Sequence, residues 1–139
     1  MPERFILVLA VTAVMVMCVI GIRTWSARKT RAVKQDGPAW DALGVRPDGR
    51  RTLISFSTPS CAACHKAQAP AIALAEQQLG PEQVRVIKID AASQPDVARA
   101  FGVMTVPSTV VVTARGKHIV AINQGFTPSA RLIEQLQRA

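Results

Sequence analysis

The sequence has 139 residues, a length that fits one domain with short additional segments. Its three cysteines and 4% aromatic residues, with no tyrosine, exclude a small secreted protein stapled by disulfides and disfavour an aromatic-rich nucleic-acid binder. The net charge of +8 does not indicate a nucleic-acid partner either, because five of the basic side chains lie within residues 23–34, where there is no acidic one. From Asp36 onward the chain has eleven basic and eight acidic side chains.

The N-terminal segment predicts a membrane anchor at residues 1–22. Residues 5–22 contain no charged side chain, and as a helix they extend over about 27 Å at roughly 1.5 Å per residue, just enough to cross a bilayer. A cleavable signal peptide is the alternative, but its cleavage site needs a small-x-small pattern, and Trp25 occupies the position before Ala27 where such a pattern requires a small residue. We therefore predict an uncleaved span, in which Cys18 is one more apolar residue.

The flanking charges predict the orientation of this anchor. One arginine, Arg4, precedes the apolar segment, and five basic residues follow it: Arg23, Arg28, Lys29, Arg31 and Lys34. Lys and Arg accumulate on the cytoplasmic side of a span. The pattern predicts a single-pass protein of the cell membrane whose domain faces the cytoplasm, with an extracytoplasmic domain as the alternative.

Residues 23–38 are predicted to be a basic linker, because Asp36-Gly37-Pro38 breaks regular structure before anything packs. The domain itself is then residues 39–139. Its first element is predicted at residues 40–43, as one helical turn that covers the edge of a sheet.

The most informative stretch is residues 52–70, which delivers two cysteines to the start of a helix. Leu53, Ile54 and Phe56 predict a buried strand, and the turn sequence of residues 57–60 ends it. Cys61 and Cys64 follow, and their spacing of three places both sulfurs on one helix face within reach of a disulfide. A helix N-terminus stabilises a thiolate, so Cys61 is the expected nucleophile.

The remaining pattern predicts alternating strands and helices. Pro70 should kink the helix of residues 61–79, because proline lacks the backbone donor. Apolar runs then predict a strand at residues 84–90 and two strands at 109–113 and 118–122, with a short helix at 94–101 between them. Thr127-Pro128 is predicted to cap a final amphipathic helix. The order from the first strand is βαβαββα.

A strand, Cys-x-x-Cys and a helix, with Val106-Pro107 some forty residues later, resemble the thioredoxin superfamily over residues 53–139. The resemblance implies an α/β thioredoxin-like fold, here preceded by one transmembrane helix. It further implies that Cys61 attacks a substrate disulfide, that Cys64 resolves the mixed disulfide, and that Val106 and a cis Pro107 present backbone to the substrate. The expected partners are protein disulfides or dithiols and a separate electron donor or acceptor. No cofactor is expected beyond the redox-active disulfide, and membrane-tethered relatives in bacteria often face the extracytoplasmic side.

Several positions depart from the usual thioredoxin pattern. Ser55 stands where the family usually has a buried aspartate, and Ser60 stands where it has a tryptophan before the first cysteine. Ala62-Ala63 replaces Gly-Pro between the cysteines, a dipeptide that modulates the redox potential in this superfamily. His65 occupies a place where lysine or arginine is common, and if protonated it would add positive charge beside the thiols.

Metal-binding interpretations of the cysteine motif compete with this one. CAACH fits the haem-attachment pattern, with His65 as the iron ligand, but strands before and after it do not suit a small helical cytochrome. A zinc site would need a second closely spaced ligand pair, which is missing, so no metal site is expected. The sequence predicts a membrane-anchored thiol-disulfide oxidoreductase, acting as a reductase. The alternative is a non-enzymatic binding module in which Cys61, Cys64 and His65 deliver a soft ion such as Cu(I).

Overall fold

A computed structural model describes residues 2–36 and 38–139, with the side chains of residues 5–25 and 38–139. The chain divides into two compact units, Met1–Ala32 and Val33–Ala139. Helix α1, Pro2–Asp36, makes up the first unit and includes the first four residues of the second. Within α1, the 21 residues Phe5–Trp25 have a mean hydropathy of 3.0, and their side chains are exposed. The backbone of the predicted linker is thus helical up to Asp36, while the predicted boundaries at residues 22 and 38 stay predictions.

The second unit contains a four-stranded sheet with helices on both faces. A helical segment, residues 62–79, follows the first strand and is called the cysteine helix below; it contains a π-turn and then α3. The elements in chain order are α2 Trp40–Leu43, β1 Arg51–Ser57, the π-turn Cys64–Gln68, α3 Ala69–Leu79, β2 Val84–Asp90, α4 Pro95–Ala100, β3 Ser108–Val112, β4 Ile119–Gln124 and α5 Ser129–Gln137. The predicted order βαβαββα is confirmed.

The strand order of the sheet is β2-β1-β3-β4, which places β1 in the interior. β1 pairs in parallel with β2 and antiparallel with β3, and β3 pairs antiparallel with β4. A parallel pair requires a long crossover, and the cysteine helix supplies it between β1 and β2. Because β1 has neighbours and helices on every side, its five central residues are buried, as the apolar run predicts.

Alternation along the strands divides the core into two layers. Ile54, Phe56 and Val110 point to the face covered by α2 and α4, where the rings of Phe56 and Phe101 lie 5.9 Å apart. Leu53 and Val111 point to the other face, which α3 and α5 cover. The cysteine helix therefore begins at the carboxyl end of β1, the strand that contributes to both core layers.

The segment before β1 is hydrogen-bonded to the rest of the domain through the side chain of Trp40. The indole Nε1–H of Trp40 donates to the Gly116 carbonyl at 2.7 Å, which ties α2 to the turn between β3 and β4. Gly116 has a φ of +66°, and a Cβ there would lie 2.2 Å from Pro47 Cγ. α2 packs beside α4 against the core layer that contains Ile54 and Phe56, and its predicted cover of the sheet edge stays a prediction.

Two smaller predictions also change. The last helix begins at Ser129 with Pro128 as its N-cap residue, and it has no side-chain cap because proline carries no side-chain oxygen that could accept a hydrogen bond. The two hairpin strands are shifted slightly, to residues 108–112 and 119–124. Among the described residues, every buried side-chain nitrogen or oxygen atom has a hydrogen-bond partner.

Candidate functional site

The site is built around a disulfide at the start of the cysteine helix. Cys61 and Cys64 are bonded to each other, with their Cα atoms 5.3 Å apart. Cys64 is 4% exposed, whereas Cys61 is half-buried and therefore the more accessible of the two. The backbone N–H of Cys64 points at the Cys61 sulfur, at a nitrogen–sulfur distance of 3.2 Å. This N–H and the unpaired amides of the first helical turn place partial positive charge around Cys61.

A π-turn follows the second cysteine. The N–H of Ala69 donates to the carbonyl of Cys64, five residues earlier, instead of the four of an α-helix. Such a turn holds one residue more than an α-helical turn, and Pro70 lies two residues after its end at Gln68. The π-turn directly precedes the segment that contains Pro70, and the kink predicted at Pro70 stays a prediction.

A second loop lies at the start of β3. The Val106–Pro107 peptide bond is cis, which confirms the expectation from the resemblance, and Pro107 is buried. Within the part of the chain that the structure describes, the backbone N–H and C=O of Val106 have no hydrogen-bond partner. The loop is held by other groups: Gln124 bonds to the Met104 N–H at 3.2 Å and to the Gly102 carbonyl at 2.8 Å.

A third loop, residues 125–127, connects β4 to α5. The N–H of Gly125 donates to the Pro107 carbonyl at 2.8 Å. The N–H of Thr127 donates to Gln68 Oε1 at 2.9 Å, and the Gln68 amide nitrogen donates to the Thr127 carbonyl at 3.1 Å. Between these two anchor points, the Phe126 side chain is 54% exposed. The loop therefore bridges the Pro107 loop and the cysteine helix.

Two grooves flank these elements. One, of about 650 Å³, is bordered by Cys64 and His65 and extends along α3 over β1 and β2, where Ser55, Lys88 and Glu76 also line it. Ser55 and Lys88 are register partners on neighbouring strands, so the position that is usually an aspartate is a buried serine beside a lysine. The other groove, of about 310 Å³, lies beside Val106 and is lined by Met104 and Val103 among other residues. Met104 itself is 67% exposed.

The predicted modulating residues lie next to the disulfide. Ala62 and Ala63 are exposed in the first turn of the cysteine helix. The ring of His65 is exposed as well, and its Nε2 lies 3.2 Å from the Pro59 carbonyl, within hydrogen-bond distance. His65 thus links the helix to the turn before Cys61, and its effect on the thiols stays a prediction.

The residues of the haem and soft-ion alternatives, Cys61, Cys64 and His65, lie at the start of the cysteine helix. Over residues 5–25 and 38–139, no three His, Cys, Asp or Glu side chains are close enough together to hold a metal ion. The two sulfurs that a haem or a soft ion would need are bonded to each other. Cys18, the one other cysteine of the sequence, belongs to the apolar stretch of α1.

Comparison with known proteins agrees with the geometry. The thioredoxin family model matches residues 39–138. The chain belongs to the thioredoxin family. It is 29% identical over 86 residues to thioredoxin of Bacillus subtilis (strain 168), a match that spans 62% of this chain and 79% of the relative.

Solved structures show the same fold. A chloroplastic thioredoxin z superposes with a TM-score of 0.60 at 22% identity, over 70% of this chain and 87% of that one. Mitochondrial thioredoxin 3 of Saccharomyces cerevisiae superposes with a TM-score of 0.55 at 19% identity, over 81% of this chain and 89% of that one. Family membership together with the Cys61–Cys64 pair makes this thioredoxin-family chain a thiol-disulfide oxidoreductase. Proteins of this fold act on disulfides of protein substrates.

Sequence reasoning did not find one residue of this thioredoxin site, Gln68. It is 1% exposed and lies on the buried stripe of the cysteine helix, between Cys64 and Ile72. A polar residue within an otherwise apolar helix stripe was the available signal, since buried amides need partners. The identity of those partners, 59 positions away, is visible only in the tertiary structure.

Proposed function

We propose that this chain is a membrane-anchored reductase of protein disulfides, with Cys61 as the attacking cysteine and Cys64 as the resolving one. The observation that carries the assignment of roles is the asymmetry of the pair. Cys61 is the more exposed sulfur and receives the Cys64 N–H, whereas Cys64 is buried. A partner reaches Cys61 first, and the local positive charge favours its thiolate.

The reaction proceeds by two thiol-disulfide exchanges. The Cys61 thiolate attacks one sulfur of a substrate disulfide, which forms a mixed disulfide and releases the other substrate sulfur as a thiolate. The Cys64 thiolate then attacks Cys61, which forms the Cys61–Cys64 disulfide and releases the substrate's second thiolate. Two electrons pass to the substrate. A separate dithiol protein or small thiol must return them, and no bound cofactor takes part in these steps.

Val106 and Pro107 are the proposed binding site for the substrate backbone. Val106 has backbone hydrogen-bonding groups without a partner in the described part of the chain, next to a buried proline that has no N–H. An extended substrate segment can pair with Val106 as an added strand does at a sheet edge. The exposed side chains of Met104 and Phe126 offer apolar surface for the residues around the substrate cysteine.

The substrate reaction is tested with the full chain in a mild detergent, using dithiothreitol as the electron donor and insulin as the substrate. Cys61→Ser should abolish insulin reduction. Cys64→Ser should accumulate a mixed disulfide through Cys61, visible on a non-reducing gel. Cys18→Ser is the matched control, because it removes a cysteine from α1 and should leave the rate unchanged. Mixed disulfides that accumulate in Cys61→Ser instead would reverse the assigned roles.

The direction of the reaction is tested by the reduction potential of the Cys61–Cys64 pair, equilibrated against dithiothreitol or glutathione buffers. A reductase is expected near or below about −250 mV, towards the thioredoxin end of the range. A value of about −120 to −180 mV would contradict the reductase assignment and indicate an oxidant or isomerase.

We also propose that His65 and the Ala62-Ala63 dipeptide modulate this potential. If protonated His65 stabilises a thiolate, it stabilises the reduced form, so His65→Gln should shift the potential to a more negative value. Restoring Gly-Pro at positions 62 and 63 should shift it independently of His65. An unchanged potential in His65→Gln would show that His65 does not modulate the redox pair and that its ring only contacts the Pro59 carbonyl.

Helix α1 is the proposed membrane anchor, oriented with the domain in the cytoplasm. Its apolar stretch Phe5–Trp25 has 21 residues, or about 31 Å as a helix, which matches a bilayer core. The one hydroxyl in its middle, that of Thr12, donates to carbonyls of its own helix, so no polar group there requires water. The five basic residues of positions 23–34, of which Arg23 lies near the end of the stretch and the other four follow it, support the cytoplasmic orientation.

Orientation is tested with two C-terminal fusions, one to a fluorescent protein that folds in the cytoplasm and one to an alkaline phosphatase that is active outside it. Fluorescence without phosphatase activity is expected. Replacing the five basic residues by glutamine should reduce that bias. Phosphatase activity in the unaltered chain would place the domain outside, and release of a soluble, shortened protein would identify a signal peptide.

A further inference from the structure

Gln68 is an unusual residue for the place it occupies. Its amide is buried at 1% exposure on the inner face of the cysteine helix, in line with Cys64 and Ile72. Both ends of the amide are used on one residue: Oε1 accepts from the Thr127 N–H at 2.9 Å, and Nε2 donates to the Thr127 carbonyl at 3.1 Å. A two-point contact of this kind fixes the orientation of the Thr127 backbone as well as its position.

The π-turn places Gln68 at this point. Cys64, Gln68 and Ile72 are each four residues apart and all buried, whereas an α-helical stripe alternates spacings of three and four. In a regular α-helix, two successive spacings of four residues would rotate the third side chain around the helix axis and away from the first. The additional residue of the π-turn compensates for that rotation. The same turn therefore carries Cys64 at its first position and Gln68 at its last.

The loop that Gln68 holds is also held from its other end. Gly125 donates its N–H to the Pro107 carbonyl, two residues before Thr127. A continuous set of contacts thus runs from the cysteine helix through Gln68 and Thr127 to Gly125 and the Pro107 loop. Phe126 is the one residue between the two anchor points, and its ring is 54% exposed.

We propose that Gln68 is a positioning residue for protein substrates, which holds the loop of residues 125–127 so that the Phe126 ring stays between the Pro107 loop and the cysteine helix. The proposal rests on the proposed function, because it concerns how the same site recognises its substrate. The partner it selects is a polypeptide with an apolar side chain near its disulfide, which packs on the Phe126 ring. A small disulfide, which reaches only Cys61, does not use this contact.

The two substrate classes provide the test, in the full chain with dithiothreitol as donor. Gln68→Met keeps the volume and removes both hydrogen bonds to Thr127, so the loop is no longer fixed. We expect kcat/KM for insulin to fall about five- to tenfold, mainly through KM, because the contact with Phe126 contributes to substrate binding and not to the exchange step at Cys61. The kcat/KM for hydroxyethyl disulfide and the reduction potential should stay within about twofold of the parent. Gln77→Met is the matched control, since it makes the same change on the exposed face of the same helix.

Two further variants separate positioning from a general effect on stability. Phe126→Ala should reproduce the selective loss for insulin, and adding Gln68→Met to it should cause little further loss, because both act on one contact. Gln68→Glu keeps the acceptor and, once protonated, regains a donor. Its ratio of insulin to hydroxyethyl disulfide activity should therefore rise towards that of the parent as the pH is lowered from about 8 to about 6, since burial raises the pKa of a carboxyl group.

Three results would overturn the proposal: an equal loss for both substrates in Gln68→Met, no loss for either, or fully additive effects of Gln68→Met and Phe126→Ala. Failure of the proposed function looks different. In that case the unaltered chain would reduce neither insulin nor hydroxyethyl disulfide, or the reduction potential would lie in the range of an oxidant.

Discussion

Gly116 tests how the segment before β1 is fastened to the sheet. An alanine there costs about 1–2 kcal/mol for a left-handed conformation, given its φ of +66°. The new Cβ would also lie 2.2 Å from Pro47 Cγ, far inside the ordinary contact of about 3.5–4.0 Å. Relief of that contact moves the carbonyl that accepts from Trp40, and a half-buried N–H left unpaired costs about 1–3 kcal/mol. We expect Gly116→Ala to lower the free energy of unfolding by about 2–5 kcal/mol.

Gly44 provides the matched control. Its φ of +65° is nearly the same, but no atom lies within 4 Å of a Cβ added there. Gly44→Ala should therefore cost only the conformational part, about 1–2 kcal/mol. Urea unfolding of the full chain in detergent, followed by tryptophan fluorescence, measures both variants as shifts in midpoint at constant slope. Equal losses in the two variants would refute the role given to Pro47 and Trp40.

Three other predictions concern stability. Phe101→Ala should lower the free energy of unfolding by about 3–5 kcal/mol, because the ring is fully buried against Phe56. Phe126→Ala, at an exposed position, should lower it by under about 1 kcal/mol in the same urea assay. Similar losses in the two variants would contradict the assigned core. Trp40→Phe removes the indole donor and should cost about 1–2 kcal/mol in urea unfolding followed by far-UV circular dichroism, because this variant lacks the domain's fluorescent tryptophan; a neutral result would mean that the hydrogen bond contributes nothing. The Arg50 side chain, through its hydrogen bond, lowers the pKa of the Asp48 carboxyl, so this pair's stabilisation is present above the unfolded value of about 3.9 and is lost as the pH falls through the folded pKa. Asp48→Asn should remove that part of the acid sensitivity below about pH 4, and an unchanged pH profile would show that solvent and salt screen the pair fully.

Short-range patterns predicted most of the elements of this thioredoxin-family domain. The run of Leu53, Ile54 and Phe56 predicted β1 because a strand buried on both faces needs continuous apolar residues, and the structure buries all three. The two cysteines were predicted at a helix start because three positions bring their sulfurs to one face, and they are bonded there. The cis Val106–Pro107 bond was predicted by resemblance alone, since composition by itself would favour trans.

The sequence by itself therefore determined the element order, the redox pair and its position at a helix N-terminus, because each of these depends on residues within a few positions of one another. Tertiary structure alone decided that α2 covers a sheet face, that Gln68 bonds to Thr127, and that Gly116 must be glycine beside Pro47. Those three contacts join residues that are distant along the chain. No local period or propensity encodes such pairings, since they arise only when the sheet and its covering helices bring the segments together.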